Sequence, residues 1–385
     1  MIKNKKKMIG ASVLIAAFAY GLNITGISPV LGLLNEKYTS YGTSMVQLLQ
    51  TIPYLLIIVG SLNVGWLTTK ISKKRIELLA MGIIGMCGII PFFTESFPAI
   101  MISRFLIGYG FGLMGPMNTA IVTEFLPAEE MAPYLGLNVV GMGIGTMVGN
   151  LIGGFLAGFG YRYFFLVYVI AFIGMIGIRL VLTETAPVAA ESYSNAKLNN
   201  MIFILAFVSL MHSLFINAYN TNIGIYILKN ITENPSATGV VTAFNAAFAL
   251  MVGLLFGRIF GLLKRFTLPF SVLAAVAGYG AVLLIPGMAG VYTASALCGI
   301  SLSCFMAISS YLISVSVEQE AVAKAAGVFS IAGGIGGLIA PVVLGNSARV
   351  LGGNSAENQF IVALLGMLVL TIIVTIITMK PKKED

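Results

Sequence analysis

Residues 358–379 read NQFIVALLGMLVLTIIVTIITM, and KPKKED (380–385) follows at once. An α-helix rises 1.5 Å per residue, so about 20 uncharged residues cross the hydrocarbon core of a bilayer. The lysines Lys380, Lys382 and Lys383 end the run abruptly. Basic residues at a span's end favour the cytoplasmic face. Working back towards the N-terminus, eleven further runs of this kind can be marked. With the last, they cover roughly 8–35, 44–69, 76–95, 98–124, 133–158, 162–183, 200–227, 237–260, 267–287, 290–316, 325–348 and 358–379. The first is too long for a signal-peptide core and has no A-x-A cleavage pattern, so it is expected to remain in the mature chain.

Composition agrees. Hydrophobic residues make up 58% of the chain, charged residues 9%, and mean hydropathy is +0.97. A water-soluble domain carries about 25% charged residues. The acids are 13 Glu and the terminal Asp385, placed near the ends of the apolar runs rather than inside them. Lipid demands that placement, because a charge at the bilayer centre costs at least a few kcal/mol.

The net charge of +8 is explained by orientation and not by nucleic acid. With the N-terminus in the cytoplasm, 17 basic residues fall on inner segments and 4 on outer ones, with Arg104 inside a span. That bias supports an even number of spans and cytoplasmic termini in a cell (inner or plasma) membrane. One His and three scattered Cys (Cys87, Cys298, Cys304) give no metal-ligand spacing, so no metal or cofactor is expected. There is no G-x-x-x-x-G-K-[ST] loop for ATP.

The longest polar interval lies near 184–200. It divides the chain into an N-terminal six-helix half (1–183), a cytoplasmic linker (184–199) and a C-terminal six-helix half (200–385). A weak repeat relates the halves. Gly65 leads a basic loop ending at Arg75, and Gly257 leads one ending at Arg265, 192 positions later. Gly145-x-x-x-Gly149-x-x-x-Gly153 is echoed by Gly333-x-x-x-Gly337-x-x-x-Pro341, with Gly149 and Gly337 188 positions apart. The expected fold class is an all-α membrane protein with twelve transmembrane helices in two pseudo-symmetric bundles. Inverted or repeated halves suit a transporter whose site lies between repeats near the midplane.

Four motifs in order resemble the major facilitator superfamily. GWLTTKISKKR (65–75) resembles its loop between helices two and three, with Thr69 where an Asp is usual. RFLIGYGFG (104–112) resembles the fourth-helix motif. GTMVGNLIGG (145–154) resembles the fifth-helix motif associated with exporters, with Asn150 in place of the usual Pro. GYRYFF (160–165) resembles the segment that opens helix six. The resemblance covers nearly the whole chain. It implies a secondary transporter working by alternating access, most similar to drug and metabolite antiporters, and a functional monomer. It also implies an inner gate in which Lys73 and Arg75 pair with Glu124.

The candidate solute-binding residues are polar side chains within spans. Arg104 shares a helical stripe with Gly108, Phe111, Gly115 and Asn118. Two roles fit it: contact with an anionic part of a solute or with coupled protons, or a packing role against neighbouring helices. Tyr20 and Asn23, then Gln47, Gln50 and Tyr54, then Asn217 and Asn220 with Ser213, align on single helix faces. Asn138, Asn245 and Tyr311 complete the set. Amides donate and accept, so such faces suit hydroxyls, amides or water. They equally suit hydrogen bonding between helices. His212 lies off the Asn217 face and reads either as a proton carrier or as a neutral packing histidine. Gly145, Gly149 and Gly153 allow close helix approach.

The functional expectation is proton-coupled export of a small neutral, amphipathic or weakly anionic solute. An uptake permease for a sugar-like or hydroxylated solute is the alternative, and a non-transporting membrane sensor is the reading from another class. No midplane carboxylate pair, Ser–His–acid set or metal cluster supports an enzyme. The expected partners are the solute, the lipid bilayer and protons.

Overall fold

The structure, a computed structural model, describes residues 2–24, 27–125, 128–182, 184, 198–318 and 321–379. Side chains of 2–9, 23–24, 118–133, 135 and 323 lie outside that description, and with them those of Asn23, Asn118 and Glu124. So does most of the expected linker.

Helices account for the described chain, without a strand. They are α1 (Ile2–Ile24), α2 (Ser28–Lys37), α3 (Thr43–Thr51), α4 (Pro53–Thr68), α5 (Lys73–Phe93), α6 (Phe97–Phe125), α7 (Ala128–Ala157), α8 (Tyr161–Phe164) and α9 (Val169–Val181) in the first half. The second half has α10 (Asn200–Asn230), α11 (Ser236–Leu263), α12 (Thr267–Leu284), α13 (Gly287–Ser316), α14 (Val322–Val350) and α15 (Ala356–Met379). Among the described residues, ten stretches are long and apolar enough to cross a membrane. One of them, Ser236–Leu284, holds two helices, and Gly10–Leu22 is a shorter apolar one. The chain is therefore a multi-pass membrane protein with twelve helical passes.

Three passes are interrupted, each for a local reason. Pro29 opens α2 and Pro53 opens α4 at positions where a missing N–H costs nothing. The sixth pass turns on Gly160, whose φ of 128° disfavours any side chain, and tightens into a 3₁₀ turn at Phe165–Tyr168. Ser72 starts α5 by accepting a hydrogen bond from the Arg75 N–H.

The chain clusters into two compact units. The first comprises Met1–Tyr38, Ile52–Ser192 and Asn234–Ala243, and the second Thr39–Thr51, Tyr193–Glu233 and Phe244–Asp385. Each half of the sequence thus contributes one short segment to the unit formed mainly by the other: α3 goes with the second unit and the first turns of α11 with the first.

In the first unit α7 lies against α1 along the glycine ladder. A Cβ on Gly145 would sit 2.2 Å from the Phe18 carbonyl oxygen, and one on Gly149 2.4 Å from that of Leu22. Gly153 faces the Phe164 ring instead, and Gly154 meets Gly239 backbone to backbone. In the second unit α14 meets α10 the same way, Gly336 lying on the Leu210 carbonyl. Spans one and five are matched by spans seven and eleven, which is the repeat seen in sequence, shifted from Gly337 to Gly336. Close glycine contacts let van der Waals packing hold helices together where lipid offers no hydrophobic drive.

Candidate functional site

In the first unit, the α6 stripe is a packing surface over most of its length. Gly108 rests on the Pro53 carbonyl and Gly112 on that of Ile57, where a Cβ would approach to 2.1 and 2.3 Å. Gly115 faces the Tyr20 hydroxyl, Tyr20 meets Phe111 edge to face at 5.9 Å, and the Tyr54 phenol is within electrostatic range of Tyr20. Tyr20 and Tyr54 are half-buried. Asn138 on α7 is half-buried too, and its Oδ1 is enclosed with no donor.

Arg104 is 1% exposed. Its Nη1 donates to the Tyr168 hydroxyl at 2.6 Å, and the guanidinium lies 5.8 Å from that ring's centroid. Tyr168 in turn packs on Gly88 of α5. This contact fastens the 3₁₀ turn of the sixth pass to α5 and α6. Tyr168 was not singled out in the sequence, and nothing in its spacing marks it.

In the second unit, Gln47 faces no open space. Its Nε2 donates to Asn222 Oδ1 at 2.7 Å, Asn222 Nδ2 donates to Gln359 Oε1 at 2.8 Å, and Gln359 Nε2 returns to Gln47 Oε1 at 3.2 Å. All three side chains have no exposed surface. Gln359 also donates to Asn354, and Asn354 to Ser44. This closed amide ring binds α3 to α10 and α15. Gln50 is buried beside it on α3.

Asn217 is buried on α10. Its Nδ2 donates to the Ser213 carbonyl at 2.8 Å, while its Oδ1 has no donor. Asn220 is half-buried on the same helix. Asn245 is half-buried and donates to the Ser295 carbonyl at 2.8 Å, and Ser295 bonds the buried Tyr219 hydroxyl. Tyr311 is 42% exposed and packs on Phe260. His212 stacks on Phe305 at 3.8 Å and shares a hydrogen bond with Ser301, so it packs as a buried histidine.

The basic loop after α4 fastens to the end of α9. Arg75 pairs with Glu184 at 2.6 Å, and Lys74 donates to the Arg179 carbonyl at 2.8 Å. Lys73 is half-buried. Glu124 lies outside the described side chains, so its pairing with this loop is not seen. At the other end of the unit, Glu95 holds Arg162 at 2.5 Å and Lys37 at 3.5 Å, and its carbonyl accepts from Tyr38. Among the described residues no cluster of His, Cys, Asp or Glu could hold a metal.

Among the described residues, the buried polar atoms without a partner include the amide oxygens Asn138 Oδ1 in the first unit and Asn217 Oδ1 in the second. An enclosed amide oxygen without a donor costs about 1–3 kcal/mol, which a solute's or water's N–H or O–H would recover.

Residues 13–341 and 205–385 match the family profile described as Major Facilitator Superfamily. A stretch of 100 residues is 25% identical to a protein of Cupriavidus pinatubonensis named a probable 4-methylmuconolactone transporter. That match covers 26% of this chain and spans only 23% of that protein's length. Among solved structures, the nucleoside transporter NupG superposes with a TM-score of 0.78 at 11% identity, covering 97% of this chain and all of that one. A POT family transporter in complex with 5-aminolevulinic acid gives 0.78 at 14% identity, covering 96% of each chain. At such identities the likeness is one of fold.

Proposed function

Because the chain belongs to the major facilitator superfamily of membrane transporters, we propose that it exports a small neutral, amphipathic or weakly anionic solute in exchange for protons, by alternating access. What supports the solute class is, within each unit taken by itself, an orphan amide oxygen: Asn138 Oδ1 in the unit that also presents Tyr20, Tyr54 and Phe111, and Asn217 Oδ1 in the other. Those groups suit a compact solute with an apolar ring and a hydrogen-bond donor. The enclosure of Arg104 by Tyr168 shifts the balance from anionic towards neutral solutes. The partial match to a transporter named for a small lactone is in keeping with that size and character.

Export is preferred over uptake because Gly145 and Gly149 seat α7 on the α1 backbone, at the positions that resemble the exporter motif. The cell membrane is the proposed location, with both termini cytoplasmic on the 17-to-4 charge bias. A functional monomer is proposed from the family.

The test is accumulation of fluorescent amphipathic dyes in cells expressing the protein, with and without an uncoupler. Reduced dye that returns with uncoupler establishes energised export. No effect for any dye, with uptake of labelled sugars or metabolites into proteoliposomes, would establish the uptake permease. Asn217→Leu is expected to weaken apparent solute affinity about five- to thirtyfold, the equivalent of 1–2 kcal/mol for one hydrogen bond. Arg104→Ala is expected to lower the amount of folded protein more than the affinity of what survives. A weakened affinity at wild-type abundance would return Arg104 to the solute site.

A further inference from the structure

Glu77 lies four residues past the start of α5, about 6 Å along the helix axis. It has no exposed surface, and neither carboxyl oxygen has a hydrogen-bond partner. Among the described residues it is the one buried acid.

Its surroundings follow from the helix registers. On α6, Ser103 bonds the Cys87 carbonyl and Gly110 lies on the Ala80 carbonyl and Ile84. Continuing that antiparallel register brings Leu113, Met114 and Met117, all buried, to the level of Glu77. On the sixth pass, Gly88 meets Tyr168, Gly85 meets Phe172 and Gly174 meets Met81. The same continuation brings the buried Ile178 to Glu77.

Charged and titratable groups on the neighbouring elements lie elsewhere. α6 carries Arg104 and Tyr109 well along the helix, and Glu124 beyond the described side chains. α9 carries Arg179. α4 carries Tyr54, and the start of the sixth pass carries Tyr161, Arg162, Tyr163 and Tyr168 at the far end. On α5 itself, Lys74 is held by the Arg179 carbonyl, Arg75 is paired with Glu184, Lys73 is half-buried and Cys87 lies three turns away. None of the described groups reaches the Glu77 oxygens.

An unpaired carboxylate ion in such a place would carry a desolvation cost of many kcal/mol, so the packed arrangement holds the neutral acid. The exposed charged residue nearest along the helix is Arg75, at the start of α5. We propose that Glu77 is a proton-binding site served from the face where α5 begins, and that transport responds to pH on that face. Loss of the proton to water there leaves an ion that needs hydration. The first turns of α5 must then separate from α6 and α9. The link to transport rests on the function proposed above, whereas the proton site itself does not.

Two experiments separate these claims. In proteoliposomes with pH set independently on each side, wild-type solute exchange is expected to change by up to about tenfold per pH unit on the α5-start face, the limit for one site. Glu77→Gln should flatten that dependence to within about twofold while exchange persists, and Glu77→Asp should keep it. A Glu77→Gln protein that follows the wild-type profile would overturn the proposal. The second experiment needs no solute. Dicyclohexylcarbodiimide, which adds to neutral carboxyl groups in apolar surroundings, should modify Glu77 in the whole reconstituted protein ahead of the exposed Glu95, read by peptide mass. Modification of other acids with none at Glu77 would also overturn it. If Glu77 is modified but wild-type protein moves no solute, the transporter reading fails and the proton site stands.

Discussion

Gly145→Val is expected to remove nearly all folded protein from the membrane. The new Cβ alone would lie 2.2 Å from the Phe18 carbonyl oxygen and 3.0 Å from the Leu22 nitrogen. Both are backbone atoms of α1, so no side-chain rotation relieves the clash, and Gly149 fixes the same helix one turn on at 2.4 Å. The helices would have to part along their length. Overpacking a flexible core costs about 1–3 kcal/mol, and a rigid backbone contact costs more. The control is Gly82→Ala, where a Cβ meets nothing within 4 Å. That change should leave the protein intact or stabilise it by up to about 1 kcal/mol through helix propensity. The measurement is the monodisperse fraction after detergent extraction, with its thermal midpoint. A Gly145→Val protein of wild-type yield and midpoint would show that α1 and α7 do not pack this way.

The second large effect concerns the amide ring. Gln359→Leu removes the acceptor for Asn222, the donor to Gln47 and the donor to Asn354. Hydrogen bonds between membrane helices contribute only about 0.6 kcal/mol on average, so the lost bonds are not the main term. The orphaned groups are, at about 1–3 kcal/mol for each that finds no new partner. A total near 3 kcal/mol is expected, seen as a lower thermal midpoint. The combined Gln47→Leu, Asn222→Leu and Gln359→Leu variant leaves none of the three amides orphaned and should regain most of that loss. If the triple variant is instead no more stable than the single one, the ring contributes by attraction and not by avoiding orphans.

Much of the fold is legible in the sequence because lipid constrains it so severely. Charge-free runs mark the passes, and the four ordered motifs mark the family. Packing partners are another matter. Gln47, Gln50 and Tyr54 share one helical face in sequence, but Pro53 breaks that helix. The structure then gives Gln47 to an amide ring and Tyr54 to the surroundings of Tyr20. Their common period was real, but it could not say which neighbours each side chain would meet. Arg104 could be recognised as unusual, yet its partner Tyr168 lies 64 positions away in a 3₁₀ turn that no periodicity announces. Glu77 reads as a helix-end acid, and only the helices packed around it show that it is enclosed. His212 could be placed off the polar face from its 100° step alone, and the stacked Phe305 accounts for it.

The amide ring also sets a timetable for biosynthesis. Gln47 and Gln359 are 312 positions apart, and Asn222 lies between them. At about 5–20 residues per second, a ribosome needs roughly 15–60 s to reach Gln359 after making Gln47. Asn222, 175 positions on, can meet Gln47 first, but the Gln47 Oε1 acceptor lacks its donor until Gln359 arrives and the ring closes. The α3 segment reaches its final place only when the last pass has been inserted. A truncated chain therefore remains marked by an unsatisfied amide, which quality-control machinery could read.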